Sequence, residues 1–240
     1  MSLSGLSGLS GLSGIAGGVS VDPGTDPATV YKYLFRNTPA SLLDVGGTPV
    51  AVDVAFDRWV NEGLSGSEEA TQSGGKPTRR SDGVQANASG SMVFDPLALS
   101  GDFTADFVLT RSGGGNSIIP FAGDDELLGS MLRFHSAGLS IDDDAFNEIT
   151  LTSLVVSGTA LVRVKRDSGT ITAYMTGGVS QSGSLAGTIT VNQLFGSVMV
   201  GYSTSAPRLV FAGVSDSLLS AEDAAATLAW YAAQYGLSLS

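Results

Sequence analysis

The chain has 240 residues and a mass of 24.4 kDa, with 42% hydrophobic residues and only 15% charged ones. Its net charge of −11 argues against binding to nucleic-acid phosphates or to anionic membrane surfaces, because no basic stripe is present to neutralise them. The lack of cysteine excludes disulfide scaffolds and thiolate chemistry, and the single histidine, His135, excludes His-rich zinc sites. Composition therefore disfavours an enzyme.

Residues 1–20 form a Gly-Leu-Ser repeat arm. From Gly5 the triplet occurs three times, and no charged residue precedes Asp22. A secretory signal is not predicted, because the basic start is missing and glycine interrupts the apolar run. Two interpretations remain open: a flexible linker, or a collagen-type Gly-triplet strand that buries its leucines against partners in an assembly.

Residues 21–63 form a β-rich N-terminal segment, and residues 64–90 are predicted to be a polar loop. Alternating apolar residues predict strands at 30–35 and 49–56. Whether this segment completes the main domain or contacts neighbouring subunits stays open. The polar loop carries the main basic cluster, which is expected to be solvated: Lys76, Arg79 and Arg80.

Residues 91–240 are predicted to form the main domain. Apolar runs recur about every ten residues between Gly, Ser, Asn and Asp clusters, which is typical of a sandwich or barrel. The predicted strands are 92–94, 103–110, 117–121, 132–135, 149–156, 160–166, 170–175, 185–191, 195–200 and 208–212. A glycine-containing hairpin turn is predicted at 166–170.

A single helix is predicted after Ser220. That serine is a suitable N-cap, Glu222 and Asp223 fall in the first turn, and Gly236 can end the helix in the left-handed conformation. The fold class is therefore all-β, a β-sandwich with one C-terminal α-helix and an extended N-terminal arm.

Three motifs carry a resemblance to a known family. Residues 101–107 (GDFTADF) and 161–178 (LVRVKRDSGTITAYMTGG) resemble strands of laminin-G-like, concanavalin-A-like jelly rolls, and 219–223 (LSAED) is similar to their closing element in bacteriophage virion proteins. Thr176 stands where the family's hairpin usually has asparagine. The resemblance spans about residues 90–236.

The Gly-Leu-Ser triplets also resemble the glycine-rich repeats of phage tail, fibre and head-decoration proteins. Together the resemblances imply a non-enzymatic virion structural protein, most simply a capsid decoration or head-fibre protein anchored by its N-terminal arm. They further imply a homotrimer that binds major capsid or other virion proteins, at the surface of the particle. The alternative is a lectin-like tail or fibre adhesin that binds host glycans, with an extracellular module as a further option.

One acidic cluster is a candidate metal site. Asp142, Asp143 and Asp144 offer the oxygen ligands that calcium prefers, with Asn147 and Glu148 close behind. Laminin-G-like domains often bind calcium at a loop rim, so the resemblance supports these three as calcium ligands. Their spacing does not match an EF-hand loop, and no other cofactor is expected.

No catalytic residue is predicted. A glycanase on this fold would need two carboxylates facing one cleft from a strand, whereas the acids here cluster in loops. His135 lies in a predicted strand, where a packed or surface role is expected. Five aromatic residues could contact a sugar: Tyr174, Tyr202, Trp230, Tyr231 and Tyr235. Helical spacing favours packing of Trp230 against the sandwich.

Overall fold

The computed structural model describes residues 24–66, 69–87, 90–111, 117–123, 130–195 and 207–239. The arm 1–20 and Tyr202 lie outside these residues, as does nearly all of the strand predicted at 195–200. A short 3-10 helix, Pro27–Thr29, precedes the first strand.

Within the described ranges, seventeen strands and one helix follow. The strands are β1 Tyr33–Arg36, β2 Leu42–Leu43, β3 Arg58–Val60, β4 Glu69–Gly74, β5 Thr78–Arg80, β6 Gly83–Gln85, β7 Gly90–Leu99, β8 Phe103–Arg111, β9 Ile118–Ala122, β10 Met131–His135, β11 Gly138–Asp142, β12 Glu148–Leu151, β13 Gly158–Asp167, β14 Thr170–Met175, β15 Val179–Ser184, β16 Ile189–Leu194 and β17 Arg208–Ser215. The helix α1 spans Ala221–Tyr235.

The strands form two antiparallel sheets of a jelly-roll-type sandwich. Sheet A has the order β15-β14-β13-β8-β17-β6-β5, with β1 also paired to β17. Sheet B has the order β12-β11-β10-β9-β16-β7-β4-β3-β2. The N-terminal segment thus contributes β1 to sheet A and β2 and β3 to sheet B. The proposed domain boundaries themselves stay a prediction.

The main core lies between the two sheets. Aromatic rings run through it in continuous contact, with Phe107 packed edge-on against both Phe121 and Phe134. Phe94 joins this group to the N-terminal segment through Phe35. These side chains are at most 4% exposed, so the N-terminal segment shares one core with the later strands.

Helix α1 lies on the outer face of sheet A, where it covers a second apolar cluster. Phe211 of β17 packs edge-on against Tyr231 of the helix, and Val108 and Leu161 complete the contact from the sheet. The helix begins and ends as predicted: Ser220 accepts a hydrogen bond from the Asp223 amide, and Gly236 adopts φ +66°. In the described part of the chain, no helix is long and apolar enough to cross a membrane.

The all-β sandwich with a C-terminal helix is confirmed, and most predicted strands are present. Two predictions for the N-terminal region are wrong. Residues 64–90, predicted as a polar loop, contain β4, β5 and β6. Residues 49–56, predicted as a strand, form only isolated bridges, because Asp53 turns the chain with φ +67°.

Two strands of the main domain were not predicted, β11 and β15. In addition, only residues 149–151 of the strand predicted at 149–156 belong to a strand, as part of β12. The hairpin predicted at 166–170 is present between β13 and β14, and both Ser168 and Gly169 have positive φ there.

Gly138 lies where β11 and β12 of sheet B approach each other closely. It has φ +131°, and a Cβ atom there would lie 2.3 Å from the carbonyl oxygen of Leu151. We expect Gly138→Ala to lower the free energy of unfolding by at least ~2 kcal/mol more than Gly177→Ala, which has positive φ but open space around it. Urea unfolding measures both, and equal losses would contradict the close approach.

Candidate functional site

A cleft of about 450 Å³ opens between helix α1 and the outer face of sheet A. We call it the helix cleft. The sheet contributes polar side chains to its lining, and the helix with its flanking segments contributes mainly apolar ones. The lining residues are Thr104, Arg163, Lys165, Tyr174, Leu218, Leu219, Ala221, Ala224, Leu228 and Leu239.

The polar wall of the cleft follows from strand alternation. On β13, residues 162 and 164 point to the core while Arg163 and Lys165 point outward, because successive side chains of a strand alternate between faces. Strand pairing then sets outward residues side by side across four strands. One row is Asp106–Arg163–Tyr174–Ser180, and the next is Thr104–Lys165–Thr172–Ser182.

The floor of the cleft is a buried ion pair. The guanidinium of Arg163 donates to both carboxylate oxygens of Asp106, at 2.8 and 2.7 Å, and Asp106 is fully buried. Burial acts to lower the pKa of Arg163, but the charge of Asp106 more than offsets this and raises it above its ordinary value. Tyr31 donates its hydroxyl to the same carboxylate. Its pKa is raised, first by burial and then by the charge of Asp106.

The same arginine fixes the helix. It donates to the Ala224 carbonyl oxygen at 3.0 Å and to the Thr227 hydroxyl at 2.7 Å, and both acceptors belong to α1. Because one guanidinium is bound by the sheet carboxylate and by the helix, the two walls of the cleft are held at a fixed separation.

Lys165 and Tyr174 form the accessible polar end of the cleft. The Lys165 ammonium lies 5.5 Å from the centroid of the Tyr174 ring, which is a cation–π contact. Both side chains are half-buried. In the ranges that the structure describes, no carboxylate pairs with Lys165, in contrast to Arg163. One cation therefore remains available at the surface of the cleft.

A hydroxyl-rich face extends from Tyr174 toward the edge of sheet A. It consists of the outward residues of β14 and β15, and every second residue carries a hydroxyl because those positions face solvent. The members of this hydroxyl face are Thr170, Thr172, Ser180, Ser182 and Ser184. The Thr172 and Ser182 hydroxyls lie 2.9 Å apart. The helix cleft and the hydroxyl face meet at Tyr174.

The predicted calcium ligands lie apart from the helix cleft: Asp142 ends β11, and Asp143 and Asp144 begin the β11–β12 loop. Asp143 accepts hydrogen bonds from the amides of Ala145 and Asn147, and Asp144 accepts from Thr190. These bonds use oxygens that a metal would need, and among the described residues no three acids or histidines converge into a ligand group. The calcium site at Asp142, Asp143 and Asp144 stays a prediction.

The other residues singled out in the sequence have varied positions. His135 lies at the end of β10, with its Nε2 atom 2.8 Å from the Ser140 hydroxyl, and burial lowers its pKa. Tyr231 is fully buried beneath α1, and Trp230 packs against Phe211 as the helical spacing predicted. Of the four candidate aromatic residues that the structure describes, Tyr174 is the one that lines the cleft.

No protein-family model matches the sequence, and no curated protein matches it. Solved structures match in fold. Trypanosoma rangeli sialidase in complex with sialic acid is 11% identical over 82% of this chain, with a TM-score of 0.51. The match covers 37% of the sialidase chain.

Binding domains of botulinum neurotoxins also match in fold. The serotype D domain is 13% identical over 81% of this chain, with a TM-score of 0.49. A type C neurotoxin, described as dependent on interaction with two ganglioside molecules for cell entry, is 12% identical over 86% of this chain, with a TM-score of 0.48. The chain spans about half of these neurotoxin chains, 50% and 52%. At such identities the likeness extends to the sandwich fold alone.

The buried ion pair generates a stability prediction. Asp106→Leu leaves the Arg163 guanidinium buried without a carboxylate, and we expect it to lower the free energy of unfolding by about 3–5 kcal/mol. The double variant Asp106→Leu with Arg163→Met replaces both charges by apolar side chains, so it is expected to be more stable than the single variant. Urea unfolding tests this order, and a double variant less stable than Asp106→Leu would contradict it.

Asp142 generates a pH prediction. Burial, followed by the charge of Glu148, raises its pKa from 3.8 to about 6 in the folded chain. The unfolded chain therefore binds fewer protons at this site between these pH values, so the contribution of Asp142 to stability falls as pH rises from about 4 to about 6. We expect Asp142→Asn to gain stability relative to the native chain across that window.

The measurement is urea unfolding at several pH values with a chelator present. Asp95→Asn is the control, because Asp95 is an exposed acid on β7. Both variants are compared with the native chain between pH 4 and pH 6. A difference for Asp142→Asn that is constant over the same range would refute the shifted pKa.

Proposed function

We propose that this chain is a non-enzymatic carbohydrate-binding module and that the helix cleft with the adjoining hydroxyl face is its binding surface. The observation that carries the proposal is the position of Tyr174. Its side chain lies between the leucines of the cleft and the outward hydroxyls of β14 and β15.

The chemistry of this surface fits a sugar. A pyranose ring presents apolar C–H faces and polar hydroxyl edges, so it needs an apolar contact and several hydrogen-bonding groups in one place. An aromatic residue with a polar end supplies both kinds of contact. Serine and threonine hydroxyls donate and accept, and can therefore match sugar hydroxyls in either orientation.

The lining favours binding over hydrolysis. Most glycoside hydrolases need a pair of carboxylates that flank the scissile bond. The described residues that line the cleft include no carboxylate, and Asp106 beneath them is paired with Arg163. Residues that could act as general acid and general base are therefore missing from this part of the lining.

The fold comparisons agree with this proposal without carrying it. A sialidase solved with sialic acid shares the sandwich, but a shared fold does not transfer a site. The sequence-derived role as a virion decoration or fibre protein receives no support from these comparisons. That role, the homotrimer and the particle-surface location stay predictions, and the proposed module is equally compatible with an extracellular adhesin.

A glycan array probed with the full chain tests the proposal. We expect binding to a subset of glycans, and about a tenfold loss of affinity for the best ligand in Tyr174→Ala, because an aromatic contact in a partly desolvated cleft contributes about 1–2 kcal/mol.

Phe146→Ala is the matched control. It truncates an aromatic side chain that is 55% exposed on the β11–β12 loop, outside the cleft, and should leave glycan affinity unchanged. Absence of binding to every glycan on the array would refute the proposed function. An equal loss in both variants would refute the position of the site.

A further inference from the structure

The helix cleft is lined by two cations, Arg163 and Lys165, and only one of them is neutralised by a carboxylate of the described chain. Arg163 is 6% exposed, and its charge is neutralised by Asp106 directly beneath it. Lys165, two residues along the same strand, is half-buried and holds its ammonium against the Tyr174 ring. The net charge of the Arg163–Asp106 pair is zero, so the cleft carries the single positive charge of Lys165.

The surroundings of Lys165 are uncharged across the sheet. Its cross-strand neighbours are Thr104 and Thr172, which offer hydroxyls. Asp167 lies two residues along β13, at the turn, where its carboxylate accepts a hydrogen bond from Ser168. The chain has 23 acidic and 12 basic residues, yet no ion pair of Lys165 occurs within the described ranges. A lysine without a carboxylate partner in such an acidic chain can take that partner from a ligand.

The ring contact fixes where the ammonium lies. A cation over an aromatic face loses little of its freedom to donate hydrogen bonds, because an ammonium has three N–H groups. Lys165 therefore keeps N–H groups with which it can donate to a ligand in the cleft, and Thr172 is its cross-strand neighbour. A carboxylate that binds there replaces hydration of the ammonium by a charge-assisted hydrogen bond.

We propose that the helix cleft selects acidic sugars, with Lys165 binding the carboxylate of the sugar. This inference rests on the proposed function, since it names the class of glycan that the same surface takes. The leucines opposite Lys165, namely Leu218, Leu219, Leu228 and Leu239, provide apolar contact for an acetamido methyl group or a C–H face. A sugar that carries both a carboxylate and an N-acetyl group can therefore contact Lys165 on one wall and the leucines on the other.

The test compares two ligands that differ by one charge. N-acetylneuraminic acid methyl glycoside and its methyl ester are titrated into the full chain, and binding is followed by NMR chemical-shift changes. We expect the acid to bind about tenfold more tightly than the ester, which corresponds to one charge-assisted hydrogen bond in a partly buried site.

Two lysine variants then locate the charge. Lys165→Gln should bring the acid and the ester to nearly equal affinity while binding of the ester persists. Lys76→Gln changes the net charge equally, but Lys76 pairs with Asp57 and does not line the cleft. It should leave the preference for the acid unchanged.

The remaining outcomes separate the two proposals. Equal affinity of the native chain for acid and ester, with glycan binding intact, would overturn the selection of acidic sugars and leave the proposed function standing. A preference for the acid that survives Lys165→Gln would overturn the assignment to this lysine. Failure to bind these ligands and every glycan on the array would overturn the proposed function, and the inference with it.

Discussion

The buried Arg163–Asp106 pair is the interaction on which the outer layer of this protein depends. It joins β8 and β13 within sheet A, receives the hydroxyl of Tyr31 from the N-terminal segment, and holds α1 through Ala224 and Thr227. Two charges removed from water are tolerated only when their remaining hydrogen-bonding groups find partners, so the helix and Tyr31 must both dock for the pair to be satisfied. The position of the helix, and with it the width of the cleft, therefore follows from electrostatics as much as from apolar packing.

Local signals explain which elements the sequence could predict. The helix was predicted to its ends because its cap residues, Ser220 and Gly236, act within one turn. By contrast, β15 was missed because Val179 is its one apolar inward residue, and the other inward positions hold Gln181 and Gly183. Gly183 allows close packing there: a Cβ atom would lie 3.3 Å from the Ile149 side chain of the opposite sheet, which would have to shift by a few tenths of an ångström. Such a strand forms because of its contacts with neighbouring strands, and its own sequence pattern does not indicate those contacts.

The candidate site was predictable only in part. Tyr174 was among the aromatic residues singled out, but the sequence does not indicate that it meets α1 or that the hydroxyls of β15 fall beside it. These neighbours arise from the register of three strands and from a helix that follows about fifty residues later. The sequence also does not predict the ion pair between Arg163 and Asp106, because 57 residues separate them. Strand alternation places Arg163 and Lys165 on one face of β13, but the contacts across the sheet required the structure.

A fixed cleft in an acidic chain has a consequence for how a charged ligand would bind. The net charge of −11 repels an approaching acidic sugar, but in physiological salt that repulsion is screened over about 8 Å. The ammonium of Lys165 acts at contact distance, where screening is weak and the walls of the cleft exclude part of the water. The overall charge therefore affects mainly the rate of encounter, whereas Lys165 affects the lifetime of the complex. Because the ion pair beneath already holds both walls in position, little conformational entropy is lost when the cleft is filled, and even a single charged contact can discriminate between ligands.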